Sequence, residues 1–283
     1  MSEIENKIRE EARKALESNE VALVIGWGEG SVPFKTTPVF VEKADDVGKL
    51  VWNEFCVNNL AVYLPKIARD RRVGIVAKPC DIRSIVTLIQ EKQVKRENVF
   101  IIGLGCGGVV DATGPDASTP RQMCLVCKKR EPAIYDVIIG EAVPLEESRA
   151  NIVPELPEER QKYWVEQFSK CIRCYACRQI CPACYCRLCF ADRVEPRWTS
   201  RKATVDEAWM FHATRVMHLA GRCIQCGECE RVCPVGVPVA ELAREMAEVI
   251  KENYNYEAGD PKETAPVLGQ FRENDVDPAQ HIE

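Results

Sequence analysis

Apolar and polar positions alternate along the first part of the chain in patterns that predict both helices and strands. Residues 1–18 carry apolar residues at helical spacing among charged ones, which predicts an amphipathic helix with Ser2 as its N-cap. The apolar run at 21–27 predicts a buried strand. Residues 45–69 predict a second helix, whose apolar face would be formed by Val51, Phe55, Leu60 and Leu64.

The next segment places one helical stretch between two short apolar runs. Residues 72–80 predict a strand and a turn, residues 81–94 a helix capped by Asp81, and residues 98–106 another strand. Strand, helix and strand in this order are typical of a parallel crossover unit. We therefore expect residues 1–150 to form an α/β domain, a small parallel sheet with helices.

The second half of the chain becomes helical after a segment rich in Pro and Glu at 143–160, which predicts a linker. Beyond it we expect a mainly α-helical domain over residues 151–256 and an extended polar tail at 257–283. The apolar periodicity predicts three helices in that domain, at residues 159–170, 205–220 and 238–253.

Composition narrows the classes of protein that fit this chain. The 283 residues suffice for about two domains, and the net charge of −5 gives no reason to expect nucleic acid as a partner. No apolar run approaches the ~20 residues of a membrane-spanning helix. The charged N-terminal pattern lacks the apolar core of a signal peptide. We therefore expect a cytoplasmic protein without a membrane span.

Cysteine changes this picture most, because the chain has 16 of them and many lie close together. Cytoplasmic thiols stay reduced and available to metals, which favours metal binding over disulfides. The pattern C-x2-C-x2-C-x3-C-P occurs twice, and in this pattern the fourth cysteine binds the cluster of the other motif. The spacing predicts two [4Fe–4S] clusters, one held by Cys171, Cys174, Cys177 and Cys233, the other by Cys223, Cys226, Cys229 and Cys181.

Structural zinc is the alternative, but a zinc site usually takes two separated C-x2-C pairs. Three cysteines spaced by two and followed by Cys-Pro, twice, favour iron–sulfur clusters. The segment at 221–242, with the long helical gap before it, resembles the α-helical ferredoxin module of succinate dehydrogenase and heterodisulfide reductase iron–sulfur subunits. The resemblance extends over residues 160–253.

Four more cysteines follow predicted strands or form a C-x2-C pair in the first domain. The carboxyl ends of parallel strands meet at one edge of a sheet, and glycines 103, 105, 107 and 108 would let backbone amides approach a cofactor there. Four thiols at that edge would make a third cluster site, formed by Cys80, Cys106, Cys124 and Cys127.

Residues 73–140 also resemble the beta-subunit family of deazaflavin-reducing hydrogenases and formate dehydrogenases. That family shows a strand, Pro-Cys and a helix, then a strand ending near Cys, then C-x2-C ahead of an Ala/Tyr-Asp-Ile/Val-x-x-Gly segment, and all of these occur here in order. The resemblance implies that the same four cysteines of the first domain bind a [4Fe–4S] cluster. Buried, inert cysteines are the alternative.

Flavin binding has less support in the sequence than the clusters have. In that family an FAD site is built partly from segments that find no match here, since the chain passes directly into the linker. The stretch GWGEG at 26–30 follows a strand and could form a phosphate-binding nest, but it lacks the spacing of a dinucleotide fingerprint. A tight turn is the favoured interpretation.

Cys184, Cys186 and Cys189 follow the first motif closely and could contribute to a fourth cluster, with Cys56 or a non-cysteine group as the remaining ligand. For Cys56, inside the helix predicted at 45–69, a small buried side chain is the commoner explanation. Whether a fourth cluster forms is left open by the sequence.

Several charged side chains could tune the clusters, although a solvated charged face is the simpler reading. The candidates are Lys170, Arg173, Arg178, Arg222 and Arg231. His212 and His218, six residues apart on one predicted helix, do not share a face, and we expect them to be surface or core residues. No arrangement for nucleophilic catalysis is visible.

Two functions fit these observations. The first is an iron–sulfur electron-transfer subunit of a multi-subunit cytoplasmic oxidoreductase, such as a formate dehydrogenase, a hydrogenase or a heterodisulfide-reductase-like complex. Its partner would be a flavoprotein or another iron–sulfur subunit. The second is a flavin-dependent reductase subunit that itself oxidises a hydride donor and passes the electrons to its clusters.

Overall fold

The computed structural model describes residues 2–110, 120–146, 151–263, 265–271 and 273. The chain divides into two compact units. The first unit comprises residues 1–149 and 259–262, and the second comprises residues 150–258 and 263–283. The end of the predicted polar tail, from residue 274 on, lies outside the described residues.

The first unit is built on a five-stranded sheet in the order β2-β1-β3-β4-β5. Strands β1, β3, β4 and β5 are parallel, and β2 pairs antiparallel with β1. The predicted α/β fold is confirmed, with a sheet that is mixed because the chain turns back after β1 into an edge strand. The strands span Val24–Glu29 (β1), Thr36–Val41 (β2), Val73–Ala77 (β3), Val99–Leu104 (β4) and Val137–Ile139 (β5).

In the described residues of the first unit, four α-helices accompany the sheet. Ser2 caps the first of them as predicted, because its Oγ accepts a hydrogen bond from the Glu5 amide at 3.2 Å. The helices span Glu3–Glu17 (α1), Leu64–Ile67 (α2), Pro79–Gln90 (α3) and Gln122–Leu125 (α4). Short 3₁₀ turns lie at Ala44–Lys49, Leu60–Tyr63 and Arg96–Asn98.

The single helix predicted over residues 45–69 is wrong. Two 3₁₀ turns and the short α2 occupy this stretch, separated by irregular backbone. Local side-chain bonds compete with helix formation here, since Asn53 Oδ1 accepts from the Phe55 amide at 3.0 Å and Asn59 Oδ1 from the Ala61 amide at 3.1 Å. The apolar residues are buried by tertiary packing instead.

Helix α3 begins at Pro79, with Lys78 as its N-cap, so Asp81 lies inside the first turn rather than at the cap predicted for it. Asp81 Oδ2 accepts from the Lys78 amide at 2.8 Å and lies 3.1 Å from Lys78 Nζ. Asp81 Oδ1 accepts from the Leu60 amide at 2.8 Å. Both partners of this ion pair are buried, and Lys78 Nζ also lies 4.0 Å from the Trp27 ring centroid. Through its bonds to Leu60 and Lys78, Asp81 therefore connects the segment before α2 to the start of α3.

The second unit is helical, as predicted. Its longer helices span Pro157–Ser169 (α5), Val205–His218 (α7) and Val239–Tyr254 (α9). The predicted linker is shorter than 143–160 because Pro157 occupies the first turn of α5, where its missing amide hydrogen costs nothing. Shorter elements are Ala176–Gln179 (α6), Glu228–Arg231 (α8) and the 3₁₀ turns Phe190–Asp192 and Val267–Gly269.

Aromatic side chains from α5 and α7 form the core of the second unit. Trp164 and Phe168 are stacked with ring centroids 5.4 Å apart, and the ring of Phe168 is stacked on His212 at 4.9 Å. Phe211 is buried beside them, together with Val237 from the chain before α9. This core lies directly against the first cysteine motif, since Cys171 and Cys177 pack on it.

The start of the predicted polar tail is packed rather than extended. Gly259 lies so close to Arg83 of α3 that an added Cβ would come within 2.7 Å of the Arg83 backbone oxygen, and its φ is +76°. Gln90 Nε2 donates to the Asp260 carbonyl at 2.9 Å. Residues 259–262 therefore complete the first unit by covering α3.

None of the helices in the described part of the chain combines the length and the apolar character that crossing a bilayer requires.

We predict that replacing Asp81 by Asn destabilises the first unit, because the Lys78 ammonium would stay buried without its counter-charge. Removing one partner of a buried ion pair costs about 3–5 kcal/mol. The midpoint of urea unfolding, followed by tryptophan fluorescence, should fall accordingly.

The matched control is Asp46→Asn, because Asp46 forms the same i,i+3 pair with Lys49 at the surface, with side chains 42% and 63% exposed. An exposed pair of this kind contributes about 0.2–1 kcal/mol. Equal effects of the two substitutions would contradict a special role of the buried pair.

Candidate metal centres

The two cysteine motifs of the second unit repeat in backbone conformation as well as in sequence. The residue two positions after the first cysteine has a left-handed φ in both, at Arg173 (53°) and Gln225 (61°). The residue after the second cysteine is also left-handed, at Tyr175 (60°) and Gly227 (70°). Three of these four residues are not glycine, and the left-handed conformation is unfavourable for residues that carry a Cβ atom. Each loop thereby curls its cysteines to one side.

The first set of thiols surrounds one cavity. Its lining includes Cys171, Cys174 and Cys177 from the first motif and Cys233 from the second, with Phe211 among the apolar walls. Backbone amides point at two of the sulfurs: Arg173 N donates to Cys171 Sγ at 3.4 Å and Val237 N to Cys233 Sγ at 3.2 Å. Amide donors favour the thiolate form that a metal cluster requires.

The second set contains Cys181 from the first motif and three cysteines of the second. Burial raises the pKa of Cys226 well above its ordinary value, and the charges of Glu228, Cys181 and Cys223 raise it further. Burial also raises the pKa of Cys229 to about 12, with contributions from Cys223 and Cys181. The structure thus brings together the two groups of four thiols, each with one member from the other motif, that the crossed assignment predicts.

The donor set of the second unit fits an iron–sulfur cluster. Four cysteine thiolates are the ligands that a [4Fe–4S] cluster takes, and the four thiols of the first set line one cavity.

The third set lies in the first unit, beyond the ends of β3 and β4. Burial raises the pKa of Cys106, and the thiols of Cys124 and Cys127 raise it further, while the Gly108 amide and Lys78 lower it. Cys80 is near the same lysine: burial would lower the pKa of Lys78, but the charges of Asp81 and Cys80 raise it. Cys106, Cys124 and Cys127 are therefore neighbours. Lys78 lies near both Cys106 and Cys80.

The glycine-rich loop after β4 aims amides at these sulfurs. Gly108, with a φ of +94°, donates to Cys106 Sγ at 3.3 Å, and the Val109 amide donates to Cys124 Sγ at 3.5 Å. Gly105 has another role, because an added Cβ would come within 2.3 Å of the Glu141 carbonyl carbon. The bonds of Gly108 and Val109 therefore support the prediction that backbone amides of this loop face a cofactor.

The stretch GWGEG does not form a phosphate-binding nest. Gly26 and Gly28 lie within β1, paired with Val39 and Thr37 of β2, and the chain turns only afterwards. Neighbouring side chains fill the space at both glycines, since a Cβ on Gly26 would lie 2.4 Å from Leu50. The favoured alternative, a tight turn at 26–30, is also wrong, because the hairpin turn follows this stretch and closes where Gly30 N donates to Lys35 O at 2.9 Å.

Cys184 is tied to the second set rather than to Cys186 and Cys189. A hydrogen bond from the Cys184 thiol lowers the pKa of Cys181 to about 6, against the effect of burial, and the same bond raises the pKa of Cys184. Cys189 lies near Arg178 instead, where its charge helps to raise the pKa of that guanidinium against burial. Within the described part of the chain, no side-chain contact joins Cys184, Cys186 and Cys189 to one another.

Cys56 is buried, as predicted, but in an irregular loop rather than in a helix. Burial raises the pKa of its thiol to about 11, and the Asn53 amide donates to its sulfur at 3.4 Å. The other hydrogen bonds of this sulfur are to the Val51 carbonyl and the Asn53 side chain.

The five cations that the sequence offered as cluster tuners all form bonds to oxygen atoms. Arg231 forms two bonds with the buried Glu228, at 2.9 and 2.7 Å, and Arg178 Nη1 lies 2.8 Å from Asp192 Oδ2. The other three donate to carbonyl or side-chain oxygens, namely Lys170, Arg173 and Arg222.

Two residues of α7 were missed as parts of the site. His212 Nε2 lies 3.4 Å from Cys171 Sγ, and burial lowers the pKa of this imidazole to about 4, with a further contribution from Arg215. Arg215 Nη2 donates to the Cys177 carbonyl at 3.0 Å. A signal was present in the sequence, because both lie at helical spacing from Ala208 and Phe211 on the apolar face of the predicted helix.

Comparisons with known proteins agree with this geometry. Residues 167–237 match the family model described as a 4Fe-4S dicluster domain. The F420-dependent formate dehydrogenase subunit beta of Methanocaldococcus jannaschii is 20% identical, over 87% of this chain and 89% of that protein. The F420-dependent formate dehydrogenase 1 subunit beta of Methanococcus maripaludis is 23% identical, over 87% and 88%.

Among solved structures, a chain of the F420-reducing [NiFe] hydrogenase complex from Methanosarcina barkeri is 22% identical, over 37% of this chain and 38% of that chain, with a TM-score of 0.31. The resemblance predicted from the sequence, to beta subunits of this kind and to a dicluster ferredoxin module, is confirmed by the matching domain and the two curated relatives.

We predict that replacing Cys226 by Ala removes one cluster and lowers the iron content by about four per chain. The second unit should also lose stability, because metal binding and folding are coupled. The measurement is iron and acid-labile sulfide in protein purified without oxygen.

Cys56→Ala is the control for that experiment, since it also removes one buried thiol, and its iron content should equal that of the wild type. An unchanged iron content in Cys226→Ala would refute the assignment of Cys226.

Proposed function

We propose that the protein is an iron–sulfur electron-transfer subunit of a formate dehydrogenase or of a related hydrogenase or heterodisulfide-reductase-like complex, and that it relays single electrons through [4Fe–4S] clusters. The observation that carries this proposal is the pair of crossed cysteine sets in the second unit. Such clusters accept and release one electron each, and they have potentials that the surrounding protein sets.

The spacing of the two sets supports a relay. Cys177 of the first set is close enough to Cys229 of the second to raise the pKa of that thiol, which burial already raises. The thiols are carried by α6 and α8, which contact each other. Clusters held at these positions would be neighbours, and electron tunnelling is fastest over short distances. An electron could therefore pass from one cluster to the other within a single unit.

The first unit would hold a third cluster on Cys80, Cys106, Cys124 and Cys127. The amides of Gly108 and Val109 support this proposal, because hydrogen bonds to sulfur stabilise a cluster and tune its potential. A fourth cluster on Cys184, Cys186 and Cys189 remains a prediction of the sequence. Iron analysis separates the two cases, with about twelve irons per chain for three clusters and about sixteen for four.

Its partners would be other subunits of the same complex. The similar proteins are named as beta subunits, which implies assembly with at least one further subunit. By the same likeness, a flavoprotein or a second iron–sulfur subunit would supply or accept the electrons. The cytoplasmic location expected from the sequence belongs to this proposal.

A second candidate function is a flavin-dependent reductase subunit that oxidises a hydride donor itself. The names of the similar proteins favour it, since they are formate dehydrogenase subunits described as F420-dependent. Flavin absorbance in the purified chain, with oxidation of a reduced deazaflavin by that chain alone, would support the second function. Electron transfer only in the presence of a partner subunit would support the relay.

The experiment that tests the proposal compares Cys80→Ala with the wild type. Both proteins, purified without oxygen, are fully reduced and examined by electron paramagnetic resonance. We expect the variant to lose one cluster signal and about four irons, while the two signals of the second unit remain. An unchanged spectrum and iron content would refute a third cluster at Cys80, and a colourless, iron-free wild type would refute the whole proposal.

A further inference from the structure

Arg215 is a buried cation at the point where the two cysteine sets of the second unit meet. It lies on the inner face of α7 and is 3% exposed. Its Nη2 donates to the carbonyl of Cys177, a member of the first set, at 3.0 Å. Its Nε and Nη1 are also buried and have no hydrogen-bond partner among the described residues.

A guanidinium in this position needs negative charge nearby, because burying an unpaired cation is costly. No carboxylate in the described part of the chain forms an ion pair with Arg215. Burial alone would lower the pKa of Arg215, but four cysteines raise it above its ordinary value, namely Cys181, Cys184, Cys229 and Cys177. The ionisable groups with the largest effect on this arginine are therefore cysteines.

Those sulfurs belong to both sets. Cys177 is a member of the first set, whereas Cys181 and Cys229 are members of the second. Arg231 does not duplicate the charge, because it is paired with Glu228.

We propose that Arg215 is a shared counter-cation that raises the reduction potentials of both clusters of the second unit. The proposal deepens the proposed function and rests on it. A cluster that accepts an electron becomes more negative, so a fixed cation beside it favours the reduced form. Net charge and hydrogen bonds to sulfur are among the factors that set these potentials. The two unpartnered N–H groups are the donors available to the sulfurs.

A simpler role would be structural, since the bond to the Cys177 carbonyl could hold the end of the first motif in place. The two roles differ in what they predict. If the role is structural, replacing Arg215 should reduce cluster assembly and iron content. If Arg215 is a counter-cation, its replacement should shift the potentials of clusters that are fully assembled.

The test uses the full-length protein purified without oxygen and compares Arg215→Gln with the wild type. Glutamine keeps a polar N–H donor but carries no charge. Both cluster signals are titrated by electron paramagnetic resonance against ambient potential, and iron and sulfide are counted in the same samples.

We expect both clusters of Arg215→Gln to become harder to reduce by about tenfold, which corresponds to about 59 mV for a one-electron couple. Arg215→Lys, which keeps the charge, should stay within about threefold of the wild type. The control is Arg160→Gln, whose guanidinium also donates to backbone carbonyls, of Pro154 and Glu155, and it should shift neither signal.

The proposal is overturned if Arg215→Gln keeps its iron and neither potential moves, if only one signal moves, or if Arg215→Lys shifts both as much as Arg215→Gln does. If Arg215→Gln loses a cluster, Arg215→Lys decides the question. Clusters of Arg215→Lys that are reduced as easily as those of the wild type would support the role of the charge, whereas clusters about tenfold harder to reduce would overturn it. A wild type without cluster signals would instead refute the proposed function, so the two failures are distinguishable.

Discussion

The second unit depends on thiols from two distant stretches of the chain meeting around common centres. Cys233 joins three cysteines of the first motif, and Cys181 adjoins three of the second. Neither motif is complete without the other, so the connection between them must fold back on itself. The aromatic core of α5 and α7 packs against one of these centres. A metal core held in this way would act as the cross-link of the unit, and the hydrophobic contacts would be arranged around it.

Helix α7 does more than enclose the clusters. Its buried face carries apolar residues, the His212 imidazole at 3.4 Å from Cys171 Sγ, and the Arg215 guanidinium. Polar groups on an otherwise apolar face are costly unless they find partners. Here the described partners are the Cys171 sulfur and the Cys177 carbonyl. One helix thus provides both the packing and the polar surroundings of the two cysteine sets, which explains why its polar residues are placed inward.

The cysteine spacing predicted two crossed sets in the second unit, and the structure places Cys233 beside the first motif and Cys181 near the second. The sequence also predicted α1 with its Ser2 cap and the parallel part of the sheet. It did not predict the antiparallel β2, or the irregular stretch at 45–69, where Asn side chains bond the backbone. Nor did it identify Arg215. These features depend on tertiary contacts, which the periodic spacing of apolar residues in the sequence does not reveal.

The return of the chain to the first unit has a practical consequence. Residues 259–262, which follow α9 in sequence, close over α3 through Gly259 and Asp260. The N-terminal fold is therefore discontinuous along the polypeptide. A fragment that stops at the end of the linker would leave the outer side of α3 bare, next to Arg83 and Gln90. Separating the two halves for study would require this short segment to be grafted back or supplied as a peptide.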